Sequence, residues 1–252
     1  KMEGPVGSKK IISDRTMTFL FILTIIFTGC SGKDTNEWLQ NLPQPWTLDE
    51  HQVSEILPKF HKRFPDFHQR LKAINLWRVG TPYGIFKLGE EIEPDPDPIL
   101  RIDTSDCTVH VLTSIAFANS EDWEQTRNNM IDIHYKADGE GNKSPTFKSR
   151  WHYTSDRIRY NPYTRDLTLS LISRNSLDSI KIALNKKKDG SEFLDLDWSS
   201  ERTVHFVPND KIDKHFLHSL PEICGMAFVR RSYFGTGIVI AHEGVLIDRS
   251  NL

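Results

Sequence analysis

The chain has 252 residues, 38% hydrophobic and 26% charged, with 13 Pro and 14 Gly, which suits one sizeable core and excludes a disordered or fibrous polymer. Lys and Arg number 32 against 34 acidic residues, a formal net charge of −2. Phosphate recognition draws on a clustered cationic excess, so nucleic acid is not an expected partner.

Lys9, Lys10 and Arg15 precede an apolar run from Met17 to Thr28. Twelve helical residues rise about 18 Å, short of the roughly 30 Å hydrocarbon core of a bilayer. A basic head, a short apolar stretch and Thr28-Gly29 before Cys30 predict an export signal over 1–29, cut before Cys30. The Thr-Gly-Cys ending resembles a bacterial lipobox, which makes Cys30 the expected lipidation site. Phe27 stands where such boxes usually carry Leu. Export and lipidation imply a membrane-anchored envelope lipoprotein facing the periplasm. Residues 1–29 hold four basic and two acidic side chains, so the mature chain carries −4.

Residues 30–45 are polar and contain Pro43 and Pro45, which predicts a lipidated tether. Thr47 is the expected N-cap of the next helix, with Asp49 and Glu50 in its first turn. Pro58 and Pro65 are expected to divide the helical stretch beyond it into short pieces, one running from Asp66 to Arg78 and ending at Gly80. The stretch from Glu90 to Pro98 carries three prolines and predicts a rigid surface connection. Leu100-Arg101-Ile102 is a strand candidate.

From Cys107 to Asn119 the apolar residues Val111, Leu112, Ile115, Ala116 and Ala118 predict a mostly buried helix, capped by Thr104, Ser105 or Asp106. A further helix is expected from Ser120. Downstream, 167–172, 203–207, 227–230, 237–241 and 244–247 read as strands. Helices first and strands second predict an α+β fold with a mainly antiparallel sheet. The chain begins with Lys1 and stops at Leu252 just past an apolar strand, and both ends point to a piece of a longer reading frame.

Cys107 is the strongest chemical candidate. A thiol at a helix N-terminus meets unsatisfied backbone N–H groups and the positive end of the helix dipole, which favour the thiolate. Its own amide N–H is placed to stabilise an oxyanion. His242, within Ile-Val-Ile-Ala-His-Glu-Gly-Val, supplies an imidazole as base. Two alternatives stay open: a Cys107–Cys224 disulfide, natural in an oxidising compartment, and a hydrogen-bonded core role for His242. His215 and His218 have helix spacing for two metal ligands, yet no third ligand has matching spacing, so no metal or other cofactor is expected.

Gly80-Thr81-Pro82-Tyr83, Asp106-Cys107-Thr108, the segment from Ser149 to Asp156 and His242-Glu243-Gly244 occur in this order and together resemble the DUF1460 family. That family is described as N-acetylmuramoyl-L-alanine amidase-like and is similar in fold to the papain-like NlpC/P60 cysteine peptidases. The resemblance spans about residues 65–252, within an expected catalytic domain of 46–252. It implies Cys107 as nucleophile, His242 as general base, and a third orienting residue on a strand beyond the end of this chain. It also makes the Arg150–Tyr153 segment a substrate-side loop. There Arg150 would grip a carboxylate bidentately, or else pair with a surface acid while Trp151 fills core; His152 would belong to the same surface, and Tyr83 and Tyr153 would line the cleft. The chain departs from the family pattern at His110, where an aromatic is usual, at Leu112, where a Glu is usual, and at Arg157, where a Trp is expected.

The function this implies is hydrolysis of an amide in peptidoglycan stem peptides, with a muropeptide as substrate. A non-catalytic envelope lipoprotein that binds wall or glycan fragments is the alternative. Polysaccharide hydrolysis ranks last, since no carboxylate pair stands out.

Overall fold

The computed structural model describes residues 32–248; the expected export signal and Cys30 lie outside them. Helices α1 (Gly32–Gln40), α2 (Glu50–Arg63) and α3 (Phe67–Trp77) come first, then α4 (Cys107–Ala118) and α5 (Trp123–His134). The short helices α6 (Thr154–Tyr160) and α7 (Thr168–Leu171) lead to strands β1 (Asp178–Leu184) and β2 (Ser200–Phe206). Helix α8 (Lys214–His218), β3 (Ile223–Val229) and β4 (Ile240–Ile247) complete the order.

The fold is α+β, but the expected single sheet is two separate antiparallel pairs, β1–β2 and β3–β4. Each pair closes on its own sequence neighbour, and helices take the faces a wider sheet would have used. The β3–β4 pair has a register irregularity between Phe228 and Val229. There β4 gains one residue, Ala241, so 237–241 and 244–247 do not form two strands.

Residues 30–45 are not wholly a tether. Helix α1 lies on the core, with Trp38 edge-on to Phe60 at 5.0 Å and to Phe64 at 5.6 Å, and Arg63 pairs with Asp34 at 2.6 Å. The indole buries more apolar surface docked than it would along a solvated linker. Asp49, not Thr47, caps α2 in a reciprocal capping box with Gln52. Pro58 does not break that helix. It sits on the exposed side while Val53, Ile56, Leu57 and Phe60 bury the opposite stripe, and their burial outweighs the roughly 3 kcal/mol cost of an interior proline.

Segment 167–172 is a helical turn and not a strand. The Leu171 amide donates to the Leu167 carbonyl at 2.9 Å and the Thr168 amide to the Asp166 carboxylate at 2.9 Å. These local bonds satisfy the backbone, and the turn packs beside β2 without joining its ladder. Ile99, Leu100 and Ile102 are buried, but as an irregular segment under α4 and α5.

Three apolar clusters result. One joins α1, α2 and α3 through Phe60, Ile74 and Trp77; a second joins α4 and α5 through Leu112, Ala116 and Met130, with Val245 of β4 against it. The third lies over β1–β2 around Ile182, Leu184 and Tyr153.

Candidate functional site

Cys107 is the first residue of α4 and is half-buried, with its thiol free. Asp106 caps the helix: one carboxylate oxygen accepts from the Val109 amide at 2.9 Å, the other from the Phe86 amide at 3.0 Å. The cap therefore ties the Cys107 end of α4 to the loop after α3. That loop is pinned again by a parallel bridge between Tyr83 and Ser105, with the Ser105 amide donating to the Pro82 carbonyl at 2.8 Å. Gly80 reverses the chain at φ +97° against the Trp46 ring. At Gly84 a Cβ would stand 2.3 Å from the Thr104 hydroxyl, so the loop closes on 104–106 only without a side chain there.

Pinned in this way, the loop exposes Val79, Tyr83, Ile85 and Phe86. Phe86, 81% exposed, holds a left-handed φ of 54°, a conformation that costs a non-glycine residue about 1–3 kcal/mol. Exposed apolar side chains clustered beside a helix-start thiol form a contact surface rather than a core. Tyr83 is exposed, on the segment bridged to Ser105.

The other side of Cys107 is built by residues to which the sequence reading gave no role there. Its Sγ lies 4.0 Å from the Thr108 hydroxyl, which donates to the Glu243 carboxylate at 2.9 Å. Glu243 is 4% exposed and pairs with Arg157, itself 1% exposed. Arg157 stands where the resemblance leads to Trp, and Glu243 is the acid that neutralises it. The signal was present: an arginine at an apolar position and an acid in an apolar strand are expensive unless they meet.

Strand alternation then decides the place of His242. Glu243 faces α4 and α6, so His242 faces away. Its ring is exposed, 5.5 Å from the cross-strand Phe228 ring, and no hydrogen bond joins it to Cys107. Cys224 and Cys107 are both free, so the disulfide alternative is not realised. Burial raises the Cys224 thiol above its ordinary pKa.

In the Arg150–Tyr153 segment the structure forms the alternative in which Arg150 pairs with acids. Arg150 is committed to structure: Nε to Glu90 at 2.5 Å, Nη2 to Asp95 at 2.8 Å and Nη1 to the Leu88 carbonyl at 3.0 Å. Each nitrogen of the fork has an acceptor within the chain, and the Nε–Nη2 edge is taken by Glu90 and Asp95. Glu90 is buried and also accepts from Tyr135 at 3.3 Å, so 90–98 is no purely surface connection. His152 is held by the Phe147 carbonyl at 2.6 Å and by that ring at 4.5 Å. Tyr153 is buried, its hydroxyl donating to Asn185 at 2.8 Å. Paired acids upstream and an acceptor across the β1–β2 cluster captured these polar groups.

Burial lowers several imidazoles. His110, one turn into α4, falls to about 4, by desolvation first and Arg78 second. Arg78 is fully buried against α4 and falls to about 9 for want of solvent. It donates to the His110 carbonyl at 2.7 Å and Ser114 at 2.9 Å, while Nε and Nη2 find no partner among the described residues. His152 also falls to about 4, again mainly by desolvation, and His134 falls well below its ordinary value for the same reason.

Residues 74–252 match the model of the AmiA-like family, described as N-acetylmuramoyl-L-alanine amidase-like. No curated protein matches. Among solved structures, the chain is similar to a DUF1460 protein of Legionella pneumophila at 22% identity and TM-score 0.58, over 82% of this chain and 83% of that one. That likeness shows the fold. An N-acetylmuramoyl-L-alanine amidase of Bacteroides uniformis aligns at 17% identity and TM-score 0.48, over 73% and 82% of the two chains. A Bacteroides fragilis protein described as a candidate xylanase aligns at 21% and 0.47, over 71% and 82%.

Two outcomes are expected of the buried charges. Glu243→Ala leaves Arg157 buried without its counter-ion, and a loss of about 3–5 kcal/mol of stability is expected; an unchanged urea midpoint would contradict this. The lowered imidazoles stay neutral in the folded chain, while the unfolded chain takes up protons below about pH 6.5. Stability therefore falls as pH drops from 7 towards 5, read as a falling urea midpoint, and a flat profile would refute it.

Proposed function

The chain belongs to the AmiA-like, N-acetylmuramoyl-L-alanine amidase-like family, and from that membership we propose that it is a cysteine-dependent amidase hydrolysing an amide bond in peptidoglycan. The observation that carries this reading is Cys107, a half-buried free thiol at the first position of a capped helix. In this reading the domain is papain-like, of the NlpC/P60 kind, and Tyr83 and the apolar rim of the 79–86 loop receive the substrate.

The steps use this chain's own groups. The Cys107 thiolate attacks the amide carbonyl, and the Cys107 amide N–H stabilises the oxyanion. His242 takes the thiol proton and returns it to the leaving amine as the C–N bond breaks, leaving a thioester. Water then adds to the thioester, giving a carboxylate and the free thiol. His242 packs on Phe228, on the strand face opposite Glu243, so this role requires β4 to rearrange against α4 when substrate is seated. Thr108 and Glu243 act as positioning residues that fix the start of α4.

A second reading, a non-catalytic protein that binds wall or glycan fragments, is favoured by one observation: His242 packs on Phe228 rather than on the thiol. Alkylation by iodoacetamide against pH separates the two. Labelling of Cys107 that stays fast well below the ordinary thiol pKa of about 8.5, slows in His242→Ala and accompanies muropeptide cleavage lost in Cys107→Ala supports the amidase. An ordinary thiol profile with no cleavage supports the binding protein.

We also place the protein at the bacterial cell envelope, exported and anchored through lipid on Cys30. The basic head, short apolar run and Thr-Gly-Cys ending support this. Radiolabelled palmitate is expected to enter the chain in cells and to be absent from Cys30→Ser; equal labelling of both rejects the anchor.

A further inference from the structure

Away from Cys107, a cavity of about 340 Å³ opens between α6 and the approach to β2, at the small end of the roughly 300–1,000 Å³ that ligand sites occupy. Trp151, Tyr160 and Trp198 supply its aromatic wall, and Lys136, Arg202 and Asp156 its charge. Trp151 and Tyr160 stack at 6.0 Å with planes 16° apart. Asp156 is used up: Arg202 binds both its oxygens, at 2.9 and 3.4 Å.

Lys136 is left over. Its ammonium lies 5.1 Å from the Trp151 ring and 4.8 Å from the Trp198 ring, held by cation–π attraction, and no carboxylate among the described residues pairs with it. Burial lowers its pKa, with Asp156 opposing. Trp198 adds an indole N–H that has no acceptor among the described residues. The indole nitrogen is itself buried, so what the cavity presents is a half-buried cation beside stacked aromatics, complementary to an anion on a ring.

We propose that this cavity recognises a carboxylate carried on a sugar ring, the carboxylate meeting Lys136 and the ring meeting the aromatic wall. The choice of a wall-derived sugar acid as ligand rests on the amidase reading; the charge and shape of the cavity do not. Helix α6 serves both places, since Arg157 holds Glu243 beside Thr108 while Asp156 and Tyr160 line the cavity.

The test is direct binding to the full chain, followed by tryptophan fluorescence, with N-acetylmuramic acid, the uncharged N-acetylglucosamine and the dipeptide L-alanyl-D-glutamate as probes. N-acetylmuramic acid is expected to bind at least tenfold more tightly than N-acetylglucosamine. Lys136→Met should lose at least tenfold, and Lys136→Arg, which keeps charge and fold, should retain binding. Equal binding of the two sugars, or full binding by Lys136→Met, overturns the proposal. Binding of the dipeptide without the sugar acid overturns the sugar assignment. Because no turnover is read, failure here leaves the amidase reading to be judged by Cys107 alkylation alone.

Discussion

The buried pair between Arg157 and Glu243 is the contact on which the geometry around Cys107 depends. It brings three elements together: α6 through the guanidinium, β4 through the carboxylate, and α4 through the Thr108 hydroxyl that donates to that carboxylate. Neither charge tolerates burial alone, because the desolvation cost of an unpaired ion in a protein interior is several kcal/mol. The pair therefore acts as a constraint on register. Slipping β4 by one residue would turn Glu243 to solvent and leave Arg157 unmatched, so the strand is held where it passes the start of α4.

A second network works in the same way around Arg150. Arg150, Glu90, Asp95 and Tyr135 lock the proline-rich 90–98 segment against α5, and the backbone amides of 89–91 close onto 95–98. With that segment fixed, the 79–86 loop is held by the Asp106 cap and the Ser105 bridge and turns its apolar side chains outward. Rigid support below and apolar exposure above is how a loop can contact a ligand without collapsing onto the core. Arg78 is the exception among these buried arginines. It has backbone and hydroxyl acceptors but no acid among the described residues, and it adds to the burial that lowers the neighbouring His110.

Division into two small sheets also matters for the surface. The β1–β2 pair gathers Tyr153, Leu196 and Val239 into its own cluster, and the approach to β2 carries Trp198 to the cavity beside α6. The β3–β4 pair packs on α4 instead. Helix α6 lies between these two settings, and consecutive residues on it, Asp156 and Arg157, serve different ones.

The sequence by itself determined the local elements and the chemistry of single positions. The apolar pattern and the acids ahead of it specify α3, α4 and α5 closely, because capping and helical periodicity are local properties. The place of Cys107 at a helix start comes from the same pattern, as does the membership signalled by Gly80–Tyr83 and Asp106–Thr108. Tertiary structure decided the rest, wherever the deciding energy came from residues far apart in the chain. It ran α2 through Pro58, since the buried stripe outweighed the proline. It made 167–172 a helical turn beside β2, its backbone bonds closed locally. It drew Arg150, His152 and Tyr153 into partners and away from a cleft. It set Glu243 rather than His242 towards α4, because a strand offers alternate residues to opposite faces and only the packing of Arg157 chose between them.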